Sequence, residues 1–125
     1  MTEVVIDAHD PDLLASFWSR VLGWGVTSRS DYEVEIGPPA EESAGPTLVF
    51  LRSADVKTGK VRIHLDLRPT DRHHDEELAR LLEIGAAPAD IGQGDVPWAV
   101  LADPEGNEFC LLHPVEAVDT KSPDR

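Results

Sequence analysis

The sequence predicts an α+β fold made of two equivalent β-α-β-β-β modules, and three observations predict it. A short β-branched run leads into a proline-opened amphipathic stretch and then into further strand-like runs. The same order begins again after about 60 residues, the mark of a duplicated unit that shares its core with its copy. The 125 residues contain one cysteine and no apolar run approaching the roughly 18 residues of a membrane span, so the core must come from packed secondary structure alone. Two such modules are expected to form a curved mixed sheet around a cleft, with one helix each on the outer face.

The first module begins with the strand EVVID, Glu3 to Asp7. Asp10-Pro11 then supplies an N-cap and a proline at the first helical position. Leu13, Leu14, Phe17, Trp18, Val21 and Leu22 recur at helical spacing before Gly23, which predicts a helix over 11–22. Val26 and Thr27, Tyr32 to Ile36, and Thr47 to Leu51 read as three strands, separated by a proline- and glycine-rich loop from Gly37 to Pro46.

In the second module VRIHLDL, Val61 to Leu67, alternates, with Ile63, Leu65 and Leu67 against Arg62, His64, Asp66 and Arg68. Asp71 is placed to cap a helix whose apolar stripe is Leu78, Leu81, Leu82 and Ile84, ended by Gly85. Trp98 to Ala102 and Glu108 to Leu112 read as strands joined by the turn Asp103-Pro104-Glu105-Gly106-Asn107. The domain is expected over 1–114, with modules of about 1–54 and 60–114 and a C-terminal tail over 115–125.

Eleven basic against 24 acidic residues give a formal net charge of -13. That charge repels phosphate backbones and anionic lipid headgroups, which argues against nucleic-acid and membrane partners and favours a cationic ligand. The N-terminus MTEVVIDAHD carries no basic leader or apolar run, so a cytoplasmic location is expected.

Three segments together, IDAHDPDLLASFWSRVLGW, VRIHLDLRPTD and VPWAVLADPEGNEFCLL, resemble the vicinal oxygen chelate superfamily of glyoxalase I, extradiol dioxygenases and bleomycin-resistance proteins. The likeness runs from about Glu3 to His113. It implies a divalent metal held by four cleft-facing positions, two per module, which fall here at Glu3, Phe50, His64 and Cys110. Phe50 has no donor atom, and Cys110 replaces a carboxylate oxygen with soft sulfur. Two good ligands fall short of the three that a catalytic site keeps beside its open position. No cofactor and no family-type metal site are therefore expected.

By strand alternation the ligand-binding set is Phe50, Arg62, His64 and Cys110, with Trp98 as a wall. His64 and Asp66 stand two apart on one strand face, close enough to pair as a general acid or base, unless Asp66 pairs with Arg62 or Arg68 instead. Cys110 reads as a nucleophile if stabilised by His64 or Arg62, and otherwise as a small hydrophobe. His9, His73, His74 and His113 show no ligand spacing. The expected function is small-molecule binding in a cleft with a degenerate metal site, sequestering a cationic or polar ligand. The resemblance to bleomycin-resistance proteins implies this role, and it also implies a homodimer. The competing expectation is a lyase, isomerase or dioxygenase-like enzyme that uses His64 with Asp66 or a sparse metal site.

Overall fold

The computed structural model describes residues 1–42 and 45–114, so the expected tail over 115–125 lies outside the described residues. The chain forms two compact units, Met1–Thr58 and Gly59–Arg125. Each is a β-α-β-β-β module with its own four-stranded mixed sheet. Among the described residues no helix is long and apolar enough to cross a membrane.

In the first unit β1 (Glu3–Ala8) leads into α1 (Pro11–Leu22), followed by β2 (Gly25–Arg29), β3 (Glu33–Gly37) and β4 (Thr47–Arg52). The Asp10 carboxylate accepts from the Leu13 N–H at 3.2 Å, and Gly23 leaves the helix at φ 70°, where a Cβ would be strained. The sheet runs β1-β4-β3-β2, with β1 parallel to β4 and the rest antiparallel.

Register decides which side chains share a face. Ile6, Phe50 and Val34 form one row, and Val4, Leu48 and Ile36 form the next. Arg29 is the register partner of Val34, and its guanidinium pairs with Asp12 of α1. The helix therefore lies over that apolar face, where Phe50, Ile36 and Val34 are buried with Leu14, Phe17 and Trp18. The opposite, open face carries Glu3, Val5 and Asp7 of β1, Thr47, Val49 and Leu51 of β4, and Glu33 and Glu35 of β3.

The second unit contains β5 (Asp66–Leu67), α2 (His74–Glu83), β6 (Ala87–Pro88), β7 (Ala99–Ala102) and β8 (Glu108–Leu111), with sheet order β5-β8-β7-β6. The strand expected over Val61 to Leu67 shrinks to Asp66–Leu67, which pair in parallel with Cys110 and Leu111 of β8. Two backbone bonds extend the contact: the Cys110 N–H donates to the Leu65 carbonyl and the Leu112 N–H to that of Leu67. Upstream of them the chain leaves the sheet, and Ile63, expected on the apolar face, is 84% exposed.

The helix start also differs from expectation. Asp71 does not cap α2 but pairs with Arg72 at 3.1 Å, and the guanidinium holds its carboxyl below the usual carboxylate range. His73 is the N-cap residue, and its backbone N–H donates to the Glu76 carboxylate. Within the helix Leu81 is fully buried but Leu82 is not, and the other buried position is Glu77. A buried carboxylate needs a partner, and Arg80 supplies a two-point contact at 2.8 and 2.7 Å.

His74, at the first position of α2, is packed rather than free in solvent. Its ring stacks on His113 with centroids 4.2 Å apart, and its Nε2 lies 3.2 Å from the Leu111 carbonyl oxygen. This contact ties the start of α2 to the end of β8.

Candidate functional site

The hairpin β7–β8 is the scaffold of the candidate site. Its turn is fixed by Asp103, which is 4% exposed and accepts from the backbone N–H groups of Glu105 and Asn107 and from the Asn107 side-chain amide. Gly106 completes the turn at φ 86°, a conformation other residues rarely adopt. The register that follows sets Leu101 opposite Phe109 and Val100 opposite Cys110. Phe109 and Cys110 thus point to opposite faces of the sheet.

On the Cys110 face the parallel partner is Asp66, so Asp66, Cys110 and Val100 form one row across three strands. Leu112 joins Val100 and Cys110 in a buried apolar cluster, with Ala89, Ile91 and Trp98 packed against it. His64 shares the parity of Asp66, and its Nε2 lies 3.0 Å from Asp66 Oδ1. That carboxylate oxygen is shielded from solvent, whereas the two side chains as wholes keep 27% and 22% of their surface exposed. One donor atom each from His64, Asp66 and Cys110 lies within 4.8 Å of the others. A titratable pair at the rim of an apolar floor, with a thiol beneath, is the densest chemistry among the described residues.

The expected ligand-binding positions separate in the structure. His64, Asp66 and Cys110 come together. Arg62 stands exposed in the irregular segment before β5, and Asp66 pairs with His64. Trp98 walls the Cys110 cluster and also lines a neighbouring cavity of about 550 Å³, together with Leu78 and Leu82 of α2 and Gln93 and Asp95 of the following loop. His64, Asp66 and Cys110 are not in that lining.

In the first unit Glu3 and Phe50 were expected to face the same way. The register puts them on opposite faces, Glu3 on the open side and Phe50 at 0% exposure on the helix side. The family pattern of four donors is therefore not met: Phe50 has no ligating atom and does not share a face with Glu3. Glu35 occupies the open face instead, accepting from the Thr27 and Thr47 hydroxyls at 2.7 and 3.1 Å. It was missed in the sequence, although the period-two pattern of EVEIG, with Val34 and Ile36 inward, already turned Glu33 and Glu35 outward.

A family model described as a glyoxalase-like domain matches residues 3–112. The chain belongs to this family. No curated protein matches the glyoxalase-like chain at a significant level. Its fold is shared with solved structures of low identity. A glyoxalase/bleomycin resistance protein/dioxygenase family enzyme from Burkholderia phytofirmans PsJN is similar at TM-score 0.66 and 18% identity, over 88% of this chain and 94% of that one. A bleomycin resistance determinant encoded on transposon Tn5 aligns at TM-score 0.59 and 18% identity, over 93% and 98%. A fosfomycin resistance protein variant from Listeria monocytogenes, solved with manganese(II) and a dihydroxypropylphosphonic acid, aligns at TM-score 0.67 and 15% identity, over 94% and 90%. At these identities the glyoxalase-like domain shares a fold with its neighbours, and its chemistry has to be read from its own residues.

Proposed function

We propose that this glyoxalase-like protein binds a small cationic or polar organic ligand beside His64 and Asp66, on the Cys110 side of the second module's sheet. The observation that carries the reading is the His64–Asp66 contact of 3.0 Å at the edge of the apolar floor formed by Val100, Cys110 and Leu112. An apolar surface with a few convergent polar groups is how small-ligand sites are built, and the Asp66 carboxylate supplies the attraction for a cation. Charge supports the same class of ligand: the chain carries -13 overall, and the open face of the first module bears Glu3, Asp7, Glu33 and Glu35. The shared fold with a bleomycin resistance determinant is in keeping with a binding role.

The test is calorimetric titration with a panel of small aromatic ammonium compounds and their neutral isosteres. Cations are expected to bind preferentially, and their affinity to fall as salt shortens the Debye length to about 8 Å at physiological ionic strength. Asp66→Asn is expected to weaken binding about tenfold by removing the charge while keeping the shape. Equal affinity for the neutral isosteres, independent of salt, would count against the proposal.

The same contact favours a second reading. His64 oriented by Asp66 is the arrangement of a general acid–base pair, which supports an enzyme of the lyase, isomerase or dioxygenase-like kind.

The protein is further proposed to work as a homodimer, because each sheet ends on edge strands (β1 and β2 in one, β5 and β6 in the other) that invite pairing or cover. Light scattering at micromolar concentration is expected to return twice the 13.7 kDa chain mass, and a monomer there sinks the idea.

A further inference from the structure

We infer that the cavity between α1 and β2 of the first module binds a small organic monoanion, an aromatic carboxylate. The inference is independent of the cationic ligand proposed beside His64 and Asp66, because it concerns the other module and the opposite charge. The cavity has a volume of about 450 Å³, within the range of sites that hold small organic molecules. It lies on the helix side of the first sheet, away from the open face that carries Glu3 and Glu35.

A strand irregularity builds one wall. Val26 pairs with Ile36 and Ser28 with Glu35, so two steps along β2 answer one step along β3, and Thr27 is the extra residue. In a regular strand Val26 and Arg29, three positions apart, would face opposite ways. The bulge gives them the same face, Val26 beside Ile36 and Arg29 beside Val34, and both line the cavity. Bulges re-aim side chains in this way at sheet edges, and β2 is an edge strand. Asp12 of α1 then holds the Arg29 guanidinium across the gap.

The helix supplies the other wall. Ser19 and Arg20 belong to its last turn, and the buried Ala15 lies one turn before them. The Ser19 carbonyl accepts from the N–H groups of Gly23 at 2.8 Å and Trp24 at 3.1 Å, which fixes the turn that brings Trp24 to the cavity. The Ser19 hydroxyl is shielded from solvent and has no hydrogen-bond partner among the described residues. An unpaired buried hydroxyl costs free energy, which a ligand oxygen relieves once the side chain rotates toward it.

Charge selects the ligand. Two of the four basic residues of Met1–Thr58, Arg20 and Arg29, line this one cavity against a single carboxylate, Asp12. Two guanidiniums and one carboxylate leave the lining at +1 in a chain of -13. One negative charge balances that lining, whereas a phosphate dianion exceeds it. A guanidinium fork and a hydroxyl are donors suited to a carboxylate, and Trp24, Val26 and Ala15 offer apolar surface to a ring.

The test is calorimetric titration of the full chain with benzoate, benzamide and phenyl phosphate. One benzoate per chain is expected, with benzamide at least tenfold weaker and phenyl phosphate also weaker. Arg29→Gln should reduce benzoate affinity about tenfold, and Arg29→Lys, which keeps the charge without the fork, should fall between. Ser19→Ala should reduce it about tenfold without lowering the urea midpoint, because the hydroxyl has no partner to lose in the free protein. That combination guards against a variant that fails to fold. Benzoate should also change the tryptophan emission of the unaltered chain but not that of Trp24→Phe.

Absence of benzoate binding, equal affinity for benzamide, tighter binding of phenyl phosphate, or an affinity untouched by both Arg29→Gln and Ser19→Ala each overturns the site. The two readings fail separately: the ammonium panel should bind Ser19→Ala as it binds the unaltered chain, and its failure there leaves the benzoate result intact.

Discussion

Asp103→Ala is expected to lower the stability of the protein by about 3 kcal/mol, one of the two largest effects that the structure implies. The carboxylate is 4% exposed and accepts from Glu105 N–H, Asn107 N–H and, through both oxygens, the Asn107 side-chain amide, at 2.9 to 3.1 Å. Alanine leaves these donors without their acceptor. Hydrogen bonds to a charged acceptor contribute about 1.5–3 kcal/mol each, and only part of their sum is lost because the turn relaxes. Asp103→Asn keeps one acceptor oxygen and should lose about half as much. Urea unfolding monitored by circular dichroism measures both, and a loss below about 1 kcal/mol for alanine would show that the turn is held by Gly106 and the strands rather than by the carboxylate.

The second large effect separates the two faces of β8. Phe109→Ala should destabilise the fold by about 3–5 kcal/mol, since it deletes a ring that is 1% exposed and leaves a cavity. Cys110→Ala, one residue on, removes a single sulfur and should cost on the order of 1 kcal/mol. Ligand affinity should show the reverse order. The folded fraction of Phe109→Ala keeps its binding, because Phe109 points away from His64 and Asp66, while Cys110→Ala opens the apolar floor of the site. Paired melts and titrations decide the matter. If Phe109→Ala abolishes binding while still folded, the division of labour between the two faces is wrong.

Several features were legible in the residues themselves. The α1 boundaries follow from Asp10, Pro11 and Gly23, which act through local backbone geometry and need no distant partner. The Asp103–Asn107 turn is similarly local; the nearness of His64 to Asp66 is legible too, but whether Asp66 pairs with His64 or with Arg62 or Arg68 was left open by the sequence. Asp71 misled because its carboxylate found Arg72 next door before it could reach the helix. Sequence cannot weigh such a competition between two short contacts.

What the sequence by itself determined was the duplicated β-α-β-β-β order, the helix start and stop signals of α1, the acidic charge, and the nearness of His64 to Asp66. These are properties of periodicity and of neighbours along the chain. Tertiary structure alone decided that Asp66 is the register partner of Cys110, that Phe50 turns under α1 while Glu3 and Glu35 share the open face, and that β5 contracts to two residues. Each of these depends on which residue lies across a ladder of hydrogen bonds. A shift of one residue in that ladder reverses every side chain, so the face a donor occupies is fixed by a partner 44 positions away as surely as by its own place in the chain.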